Sequence, residues 1–335
     1  MRIHVINHHF WPDGSPSGIL EEELADTLRD MGHETLLVCG SGRFHESQRP
    51  QPHSPIVRLS TGETGGRATQ VSILLDYVRF VRALRRYVRD EVRDTDAVLA
   101  TSSPFFNVFL IGTIRKRAPH ARTIFHLHDY LPSNLHSLSI VHRMAAPLVK
   151  ALTDSALAKW GMVILLAGNI AYHGPNHTVA RCWPTVSKID GRQVDKDAKK
   201  ALYAGNLGIA HDADPLIETI DSLHNQGWDV DFYGDGPKAA LLPQYVDRHQ
   251  FVSGDEFMDV LYSHPVHLVA GVRRDGSGAF PSKTLNSLYV GAQVVPCGFS
   301  PQMLDELEVL KATPDLAQNR MVAAQIVDDY LRAEA

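Results

Sequence analysis

The sequence predicts an α/β protein with two domains, each a doubly wound parallel sheet. Short apolar runs alternate with longer amphipathic stretches along almost the whole chain, as in strand–helix–strand units. A polar segment without periodicity, 187–197, interrupts this alternation and predicts a linker. A length of 335 residues, 44% of them hydrophobic, suits two cores better than one. We expect a first domain over 1–190, a second over 199–312, and a C-terminal helix over 313–335 that can cross back to the first domain.

In the first half, β-branched and aliphatic runs mark the strands, and apolar residues that recur every three or four positions mark the helices. The predicted strands are 3–7, 34–39, 57–59, 97–101, 123–127 and 162–167. The predicted helices are 18–31, 68–93, 105–117 and 135–159.

The second half repeats the alternation, with a strand at 200–204 opening the new domain. Further strands are predicted over 230–233, 266–270 and 293–296. Helices are predicted over 214–226, 255–263 and 282–290, with a short one after Pro237 and two closing the chain at 301–310 and 314–332.

Composition narrows the classes of function. No apolar run approaches the roughly 20 residues of a membrane span, and the N-terminus is typical of a buried strand rather than a signal peptide, so we expect a cytoplasmic protein. Cys39, Cys182 and Cys297 lie far apart in apolar surroundings, which favours buried thiols.

Residues 1–190 hold 21 Lys and Arg against 17 Asp and Glu, a net +4, in a chain of net charge −5. This basic half indicates either an anionic partner or simply a solvated surface.

Two junctions in the second half resemble anion sites. Gly205-Asn206-Leu207-Gly208 follows a strand, and Pro281-Ser282-Lys283 begins a helix. Such junctions direct free backbone N–H groups and the positive end of a helix dipole at an anion, and Lys283 adds a full charge. Two of them in one domain predict a clamp for a nucleotide diphosphate.

The second strand predicted in this half, 230–233, ends in the turn Gly234-Asp235-Gly236-Pro237. Its two glycines allow unusual backbone angles, and its place after a strand fits a loop that borders a nucleobase. As a lone motif it is weak.

The loop after the first strand runs from Phe10 to Gly18. Gly14 and Gly18 let the backbone approach a ligand, and Ser17 is placed to cap the helix that follows. An ordinary connecting loop is the alternative interpretation. With Asp13, these residues are our candidates for an acceptor or phosphate loop.

His126 and His128 share one face of a strand that ends at Asp129. A metal pair is conceivable, but no third ligand is indicated by spacing, so we expect no metal. The favoured interpretation places His128 and Asp129 at the carboxyl edge of the sheet, bonded to sugar hydroxyls, with His126 buried.

The helix predicted over 68–93 carries six arginines alongside an apolar stripe. It can grip phosphates or lie on an anionic membrane surface, or it can be a core helix with a solvated basic back. The arginines are Arg79, Arg82, Arg85, Arg86, Arg89 and Arg93.

Taken in order, these motifs closely resemble glycosyltransferase family 4, in particular the bacterial branch that builds surface polysaccharides. The resemblance extends over nearly the whole chain and is most specific in the second half. It rests on Phe10-Trp11-Pro12-Asp13, on Gly32-His33-Glu34, on the glycine motifs at 205–208 and 234–237, and on Pro281-Ser282-Lys283 followed by Gly291.

The resemblance implies a GT-B fold, with two Rossmann-like domains facing across a cleft. It implies transfer of a sugar from a nucleotide diphosphate, most readily a uridine one, with retention of anomeric configuration and without a metal. The acceptor would be a saccharide or a lipid-linked saccharide, and the enzyme could attach peripherally to the inner face of a membrane. Gly205 to Gly208 with Ser282 and Lys283 would flank the diphosphate, Asp235 to Pro237 would border the base, and His128 would lie near the donor sugar.

The chain departs from the family at a pair of glutamates spaced eight positions apart. The matching positions here are Gly278 and Asn286; the amide of Asn286 can still bond a ribose, whereas Gly278 has no side chain. Arg273 or Arg274 could supply positive charge that the wider family places after the first strand of this domain.

Two other classes of function stay open. The fold could serve another target, through epimerisation of a nucleotide sugar or glycosylation of nucleic acid, although the negative net charge disfavours a nucleic-acid partner. Alternatively, the loss of the glutamate pair could mark a module that binds a nucleotide sugar and catalyses nothing.

Overall fold

The computed structural model describes residues 1–40, 49–60, 70–135, 140–208, 211–252, 254–271 and 280–333, apart from the side chains at 70–74, 134, 140 and 141. The chain divides into two compact units. The first comprises Met1–Pro132, Pro147–Cys182 and Ala317–Ala335, and the second comprises Ser133–Ala146 and Trp183–Leu316.

The first unit contains a seven-stranded sheet in which all pairings are parallel. Its order is β3-β2-β1-β4-β5-β6-β7, so the direction of winding reverses between β1 and β4. Because both faces of such a sheet are covered, its central strands are buried along their length; every residue of β4 is buried. The strands are β1 (Arg2–Ile6), β2 (Glu34–Cys39), β3 (Ile56–Arg58), β4 (Ala97–Thr101), β5 (Arg122–Leu127), β6 (Met162–Leu165) and β7 (His177–Val179).

The helices that accompany this sheet follow the amphipathic stretches of the sequence. They are α1 (Pro16–Asp30), α2 (Gln70–Glu91), α3 (Ile111–Arg117), α4 (Leu131–Leu135) and α5 (Ile140–Leu157). The end of α4 and the start of α5 lie in the segment Ser133–Ala146, which belongs to the second unit. A 3-10 turn over Phe105–Leu110 leads into α3. Along α2, Phe80, Leu84 and Val88 are fully buried, at the four-residue spacing that puts side chains on one face of a helix.

The second unit contains a five-stranded parallel sheet of order β10-β9-β8-β11-β12, with its reversal between β8 and β11. Its strands are β8 (Lys200–Ala204), β9 (Asp229–Tyr233), β10 (Asp247–His249), β11 (Val266–Ala270) and β12 (Gln293–Cys297). Its helices are α6 (Asp214–Asn225), α7 (Gly254–Ser263), α8 (Lys283–Val290) and α9 (Pro301–Ala312).

The last helix, α10 (Gln318–Arg332), belongs to the first unit and packs on α1. A buried hydrogen bond of 2.8 Å joins Asp328 Oδ1 of α10 to Nε2 of His33, which lies just after α1. The guanidinium of Arg332 also bonds the carbonyl of Met31. These polar contacts fix the position of α10 along α1.

The predicted fold class is confirmed, since both units are doubly wound parallel sheets with helices. The prediction missed β7 and β10, edge strands of three residues whose polar side chains carry no apolar pattern. The helix expected over 135–159 is α4 and α5, with 136–139 outside the described residues. The expected Ser17 cap is wrong: α1 begins at Pro16, so Ser17 lies in its first turn and its Oγ is 3.1 Å from Oγ of Ser15.

Candidate functional site

The glycine motifs predicted after β8 and β9 lie against each other in the second unit. The N–H of Leu207 donates to the carbonyl of Asp235 at 2.8 Å, and the N–H of Gly205 donates to the carbonyl of Tyr233 at the same distance. Both loops follow the carboxyl ends of neighbouring strands, beside the reversal between β8 and β11. In doubly wound sheets, ligands bind at this position.

Glycine is required where these loops touch. Gly234 and Gly236 have φ values of 150° and 131°, which side chains rarely adopt. A Cβ on Gly234 would lie 2.2 Å from the carbonyl oxygen of Gly205, and one on Gly236 would lie 2.5 Å from that of Leu207. The backbones therefore pack more closely than any side chain would allow.

Lys283, the first residue of α8, reaches this pair of loops. Its ammonium lies 3.9 Å from the centre of the Tyr203 ring, and a Cβ on Gly205 would lie 3.4 Å from Nζ. The residue as a whole is half-buried, yet Nζ itself is buried and has no hydrogen-bond partner within the described part of the chain. Burial lowers the pKa of Lys283 to about 7, because nothing compensates the charged form.

The first turn of α8 adds a helix dipole to this cation. Pro281 and Ser282 precede the helix, and the side chain of Ser282 makes no capping hydrogen bond. The hydroxyl of Thr284 is fully buried and lacks a partner among the described residues. A helix N-terminus with an uncompensated ammonium favours an anion.

His211 is a member of this cluster that the sequence analysis missed. Its Nδ1 accepts a hydrogen bond of 3.0 Å from the N–H of Gly208, so in the neutral ring the proton is on Nε2. Burial, and then the charge of Lys283, lower the pKa of His211 to about 4. The sequence analysis ended the motif at Gly208, three positions before this histidine, and so left out the turn that joins the two residues.

Asn286 is engaged within its own unit. Its Oδ1 accepts from the N–H of Thr185 at 2.9 Å, and its Nδ2 donates to Thr185 Oγ1 at 3.2 Å. The expectation that this amide bonds a ribose therefore requires Thr185 to release it. Arg273, Arg274 and Gly278 lie outside the described residues.

In the first unit, His126 and His128 converge on a residue that the sequence analysis did not single out. Glu21 of α1 places Oε1 2.6 Å from Nδ1 of His126 and 2.8 Å from Nε2 of His128. Burial alone would raise the pKa of Glu21, but His126 and His128 lower it to about 2. The sequence analysis could not indicate this contact, because Glu21 and His126 are over a hundred positions apart in the chain.

Asp129 is exposed, and its N–H, like that of His128, donates to Oγ of Ser102 at 3.1 Å. The ring of His128, in turn, is hydrogen-bonded to the side chain of Glu21. His128 and Asp129 lie at the carboxyl edge of the sheet, as predicted. The hydroxyl of Ser102, which follows β4, accepts hydrogen bonds from both of their backbone N–H groups.

The candidate acceptor loop lies at the carboxyl end of β1. Asp13 is buried and its N–H donates to the carbonyl of Phe10 at 3.1 Å. A Cβ on Gly18 would lie 2.4 Å from the carbonyl oxygen of His9, so Gly18 lets α1 start close to the end of β1. Gly14 is half-buried in the same loop.

Comparison with known proteins identifies the fold. No protein-family model matches the chain, and no curated protein matches it by sequence. Among similar solved structures, sucrose-phosphate synthase from Thermosynechococcus elongatus has a TM-score of 0.65 at 12% identity, over 99% of this chain and 96% of that one. The catalytic domain of starch synthase IV from Arabidopsis thaliana, bound to ADP and acarbose, has a TM-score of 0.62 at 9% identity, over 98% of both chains.

A third structure is the pneumococcal O-GlcNAc transferase GtfA in complex with UDP and GlcNAc. Its TM-score is 0.57 at 10% identity, over 98% of this chain and 96% of that one. The class that these likenesses define is the GT-B fold of glycosyltransferases, to which the architecture of this chain conforms.

We predict that Gly236→Ala separates the two glycine loops and weakens nucleotide binding by at least tenfold, because its Cβ would overlap the carbonyl of Leu207. Isothermal titration with UDP and ADP measures this affinity. Gly227→Ala is the matched control: its φ is also positive, at 78°, but open space surrounds its Cβ. Equal affinities in both variants would contradict the steric interpretation.

Proposed function

We propose that this protein is a glycosyltransferase that moves a sugar from a nucleotide diphosphate to a saccharide or lipid-linked saccharide. One observation carries the proposal: the buried ammonium of Lys283, which has no hydrogen-bond partner among the described residues, lies beside the paired glycine loops at the switch point of a parallel sheet. A diphosphate matches this arrangement in charge. The GT-B fold and the resemblance of the motifs to glycosyltransferase family 4 support it.

The proposed catalysis depends on where negative charge develops during the reaction. As the bond between the sugar and the diphosphate breaks, negative charge grows on the departing oxygen. Lys283 and the N-terminus of α8 stabilise this charge more in the transition state than in the ground state, which lowers the barrier. The N–H groups of Gly205, Leu207 and Gly208 already donate within the unit, so the 205–208 loop contributes by its shape rather than through these donors. Arg273 would add to this charge. The proposal includes no metal, because these groups supply the positive charge themselves.

The remaining candidate residues receive roles by the same resemblance. The turn with Asp235, Gly236 and Pro237 would border the base, and His128 would contact the donor sugar. Uridine is the proposed base, and GtfA in complex with UDP supports it, while the starch synthase bound to ADP makes adenine the first alternative. The loop at Asp13 to Gly18 would meet the acceptor.

A second candidate function is a binding module that catalyses nothing. The hydrogen bonds that hold Asn286 to Thr185 favour it, since they occupy the amide expected to bond a ribose. Binding of a nucleotide sugar without transfer or hydrolysis would identify this case.

We expect purified protein to consume one nucleotide sugar from a panel of UDP-, ADP- and GDP-sugars, and Lys283→Ala to lower that rate by on the order of 10² to 10³. The reason is the loss of one preorganised cation at the leaving group. Release of the nucleoside diphosphate measures the rate. Lys311→Ala is the control, since Lys311 lies on the surface of the same unit and pairs with Glu308. An unchanged rate in Lys283→Ala would remove this residue from the site.

The affinity for a nucleotide sugar should depend on pH. Before a ligand binds, the pKa of Lys283 is about 7. A diphosphate favours the charged form of this lysine, so binding above pH 7 takes up a proton. Affinity for UDP-glucose should be highest below pH 7 and fall by up to about tenfold per unit as the pH rises. Titration calorimetry between pH 6 and 8.5, in two buffers of different ionisation enthalpy, measures the proton uptake.

His211, with a pKa of about 4, does not titrate in this window. Lys283→Arg is the matched variant. Arginine stays charged over this range, so the affinity of the variant for UDP-glucose should not change with pH. A wild-type affinity that does not vary with pH would contradict proton uptake by Lys283 on binding.

We propose retention of configuration by front-face substitution, in which the released diphosphate oxygen accepts the proton of the acceptor. Asp129→Asn should then retain measurable transfer with the same anomeric product, since no carboxylate needs to attack the sugar. Proton NMR of the product gives the anomer. A folded but inactive variant, together with a glycosyl group trapped on Asp129 of the wild type, would show a covalent mechanism instead.

The arginines of α2 could attach the protein to anionic lipid. Five of the six predicted arginines, Arg79 to Arg89, lie on α2, and Arg93 follows its end; all six are exposed, while the opposite face of the helix is buried. None of the described helices is both long and apolar enough to span a bilayer. We expect weak co-sedimentation with phosphatidylserine vesicles at low salt, with about 1 kcal/mol from each arginine near the surface. Phosphatidylcholine vesicles are the control, and equal binding to both would exclude an electrostatic role.

A further inference from the structure

The carboxylate of Glu21 is shared by two histidines at the carboxyl edge of β5. One oxygen, Oε1, is within hydrogen-bond distance of both rings. The side chains of Glu21 and His126 are fully buried, and that of His128 is 10% exposed. Glu21 and His126 are therefore shielded from solvent, and the group contacts solvent through the ring of His128.

The protons in this group can be assigned from geometry. Oε1 of Glu21 is within hydrogen-bond distance of two ring nitrogens, an arrangement that favours the ionised carboxylate, whose oxygens only accept. Each ring nitrogen that faces Oε1 must then carry a proton: Nδ1 of His126 and Nε2 of His128. The second nitrogen of His126 is buried without a partner among the described residues, so a proton there would be an unpaired buried donor.

A metal centre is the competing interpretation, because the ligand atoms of Glu21, His126 and His128 lie within 4.8 Å of one another. Around zinc, bonds of about 2.0 to 2.1 Å in tetrahedral geometry separate neighbouring ligand atoms by roughly 3.3 Å. The observed separations of 2.6 and 2.8 Å are hydrogen-bond lengths. The distances favour a hydrogen-bonded group over a metal-bound one.

We propose that Glu21 is a positioning residue that holds His128 in its Nε2–H tautomer, so that His128 meets its ligand through Nδ1 as a hydrogen-bond acceptor. The ligand group must then donate, which in a sugar means a hydroxyl. Asp129 is the carboxylate next to His128 along the chain, but the ring of His128 is hydrogen-bonded to Glu21. The identity of the ligand rests on the proposed function, whereas the tautomer does not.

The tautomer is tested by NMR of protein labelled with ¹⁵N in its histidine rings, with the His128 signals assigned by their loss in His128→Asn. Wild-type His128 should show a protonated Nε2 and an unprotonated Nδ1 at pH 7.5. This measurement needs no variant of Glu21, so it decides the proposal even if such variants fail to fold. A His128 protonated on Nδ1 alone would overturn it.

Variants of Glu21 test the cause. Glu21→Leu removes the acceptor and should release His128 into a mixture of tautomers, whereas Glu21→Gln should restore the wild-type pattern through its amide oxygen. Asp328→Asn is the matched control, because Asp328 is also a buried carboxylate on a buried histidine, His33, at 2.8 Å. An unchanged His128 in Glu21→Leu, or stoichiometric zinc that is lost in that variant, would overturn the proposal.

The role in recognition is tested by comparing two ligands. Glu21→Leu should weaken binding of UDP-glucose, or of whichever nucleotide sugar the protein uses, by on the order of tenfold or more. Its affinity for the nucleoside diphosphate alone should not change, because His128 recognises the sugar. Equal loss for both ligands would indicate general damage to the structure and contradict a specific role. If the wild type binds neither ligand, the proposed function fails, while the NMR result still decides the position of the proton on His128.

Discussion

Parallel pairing is the constraint on which the rest of this structure depends. Each parallel strand needs a crossover before the next, so all strands of a sheet end at the same edge. In the second unit this brings together the loops after β8 and β9 and the start of α8. In the first unit it brings together the ends of β1, β4 and β5, where the loop at Gly18, Ser102 and His128 lie.

Both edges contain charged groups whose burial is costly. In the second unit the ammonium of Lys283 faces the ring of Tyr203 and has no hydrogen-bond partner in the described part of the chain, and burial lowers its pKa. In the first unit the charge is satisfied internally, since Glu21 accepts from two histidines. A cation without a partner is suited to receiving an anionic ligand, whereas a satisfied carboxylate is suited to orienting the residues around it.

Much of the fold and part of the site could be predicted from the sequence. The strands at Arg2–Ile6 and Val266–Ala270 were predictable because a parallel strand buried on both faces is mainly apolar, even though each of these contains one buried histidine. The glycine motifs and Lys283 were predictable because a backbone that approaches another backbone, or an anion, tolerates few residue types. Short edge strands such as Asp247–His249 were not predictable, because partial exposure removes the apolar pattern.

The sequence by itself determined the fold class, the positions of the glycine loops, and the presence of a lysine at the start of a helix. These features are local: each depends on periodicity or on backbone freedom within a few residues. Only the tertiary structure decided which side chains share protons and charges. Glu21 binds histidines more than a hundred positions away, and Asn286 is held by Thr185, which is also about a hundred positions away. Hydrogen bonds act over about 3 Å in space, and separation along the chain says nothing about that distance.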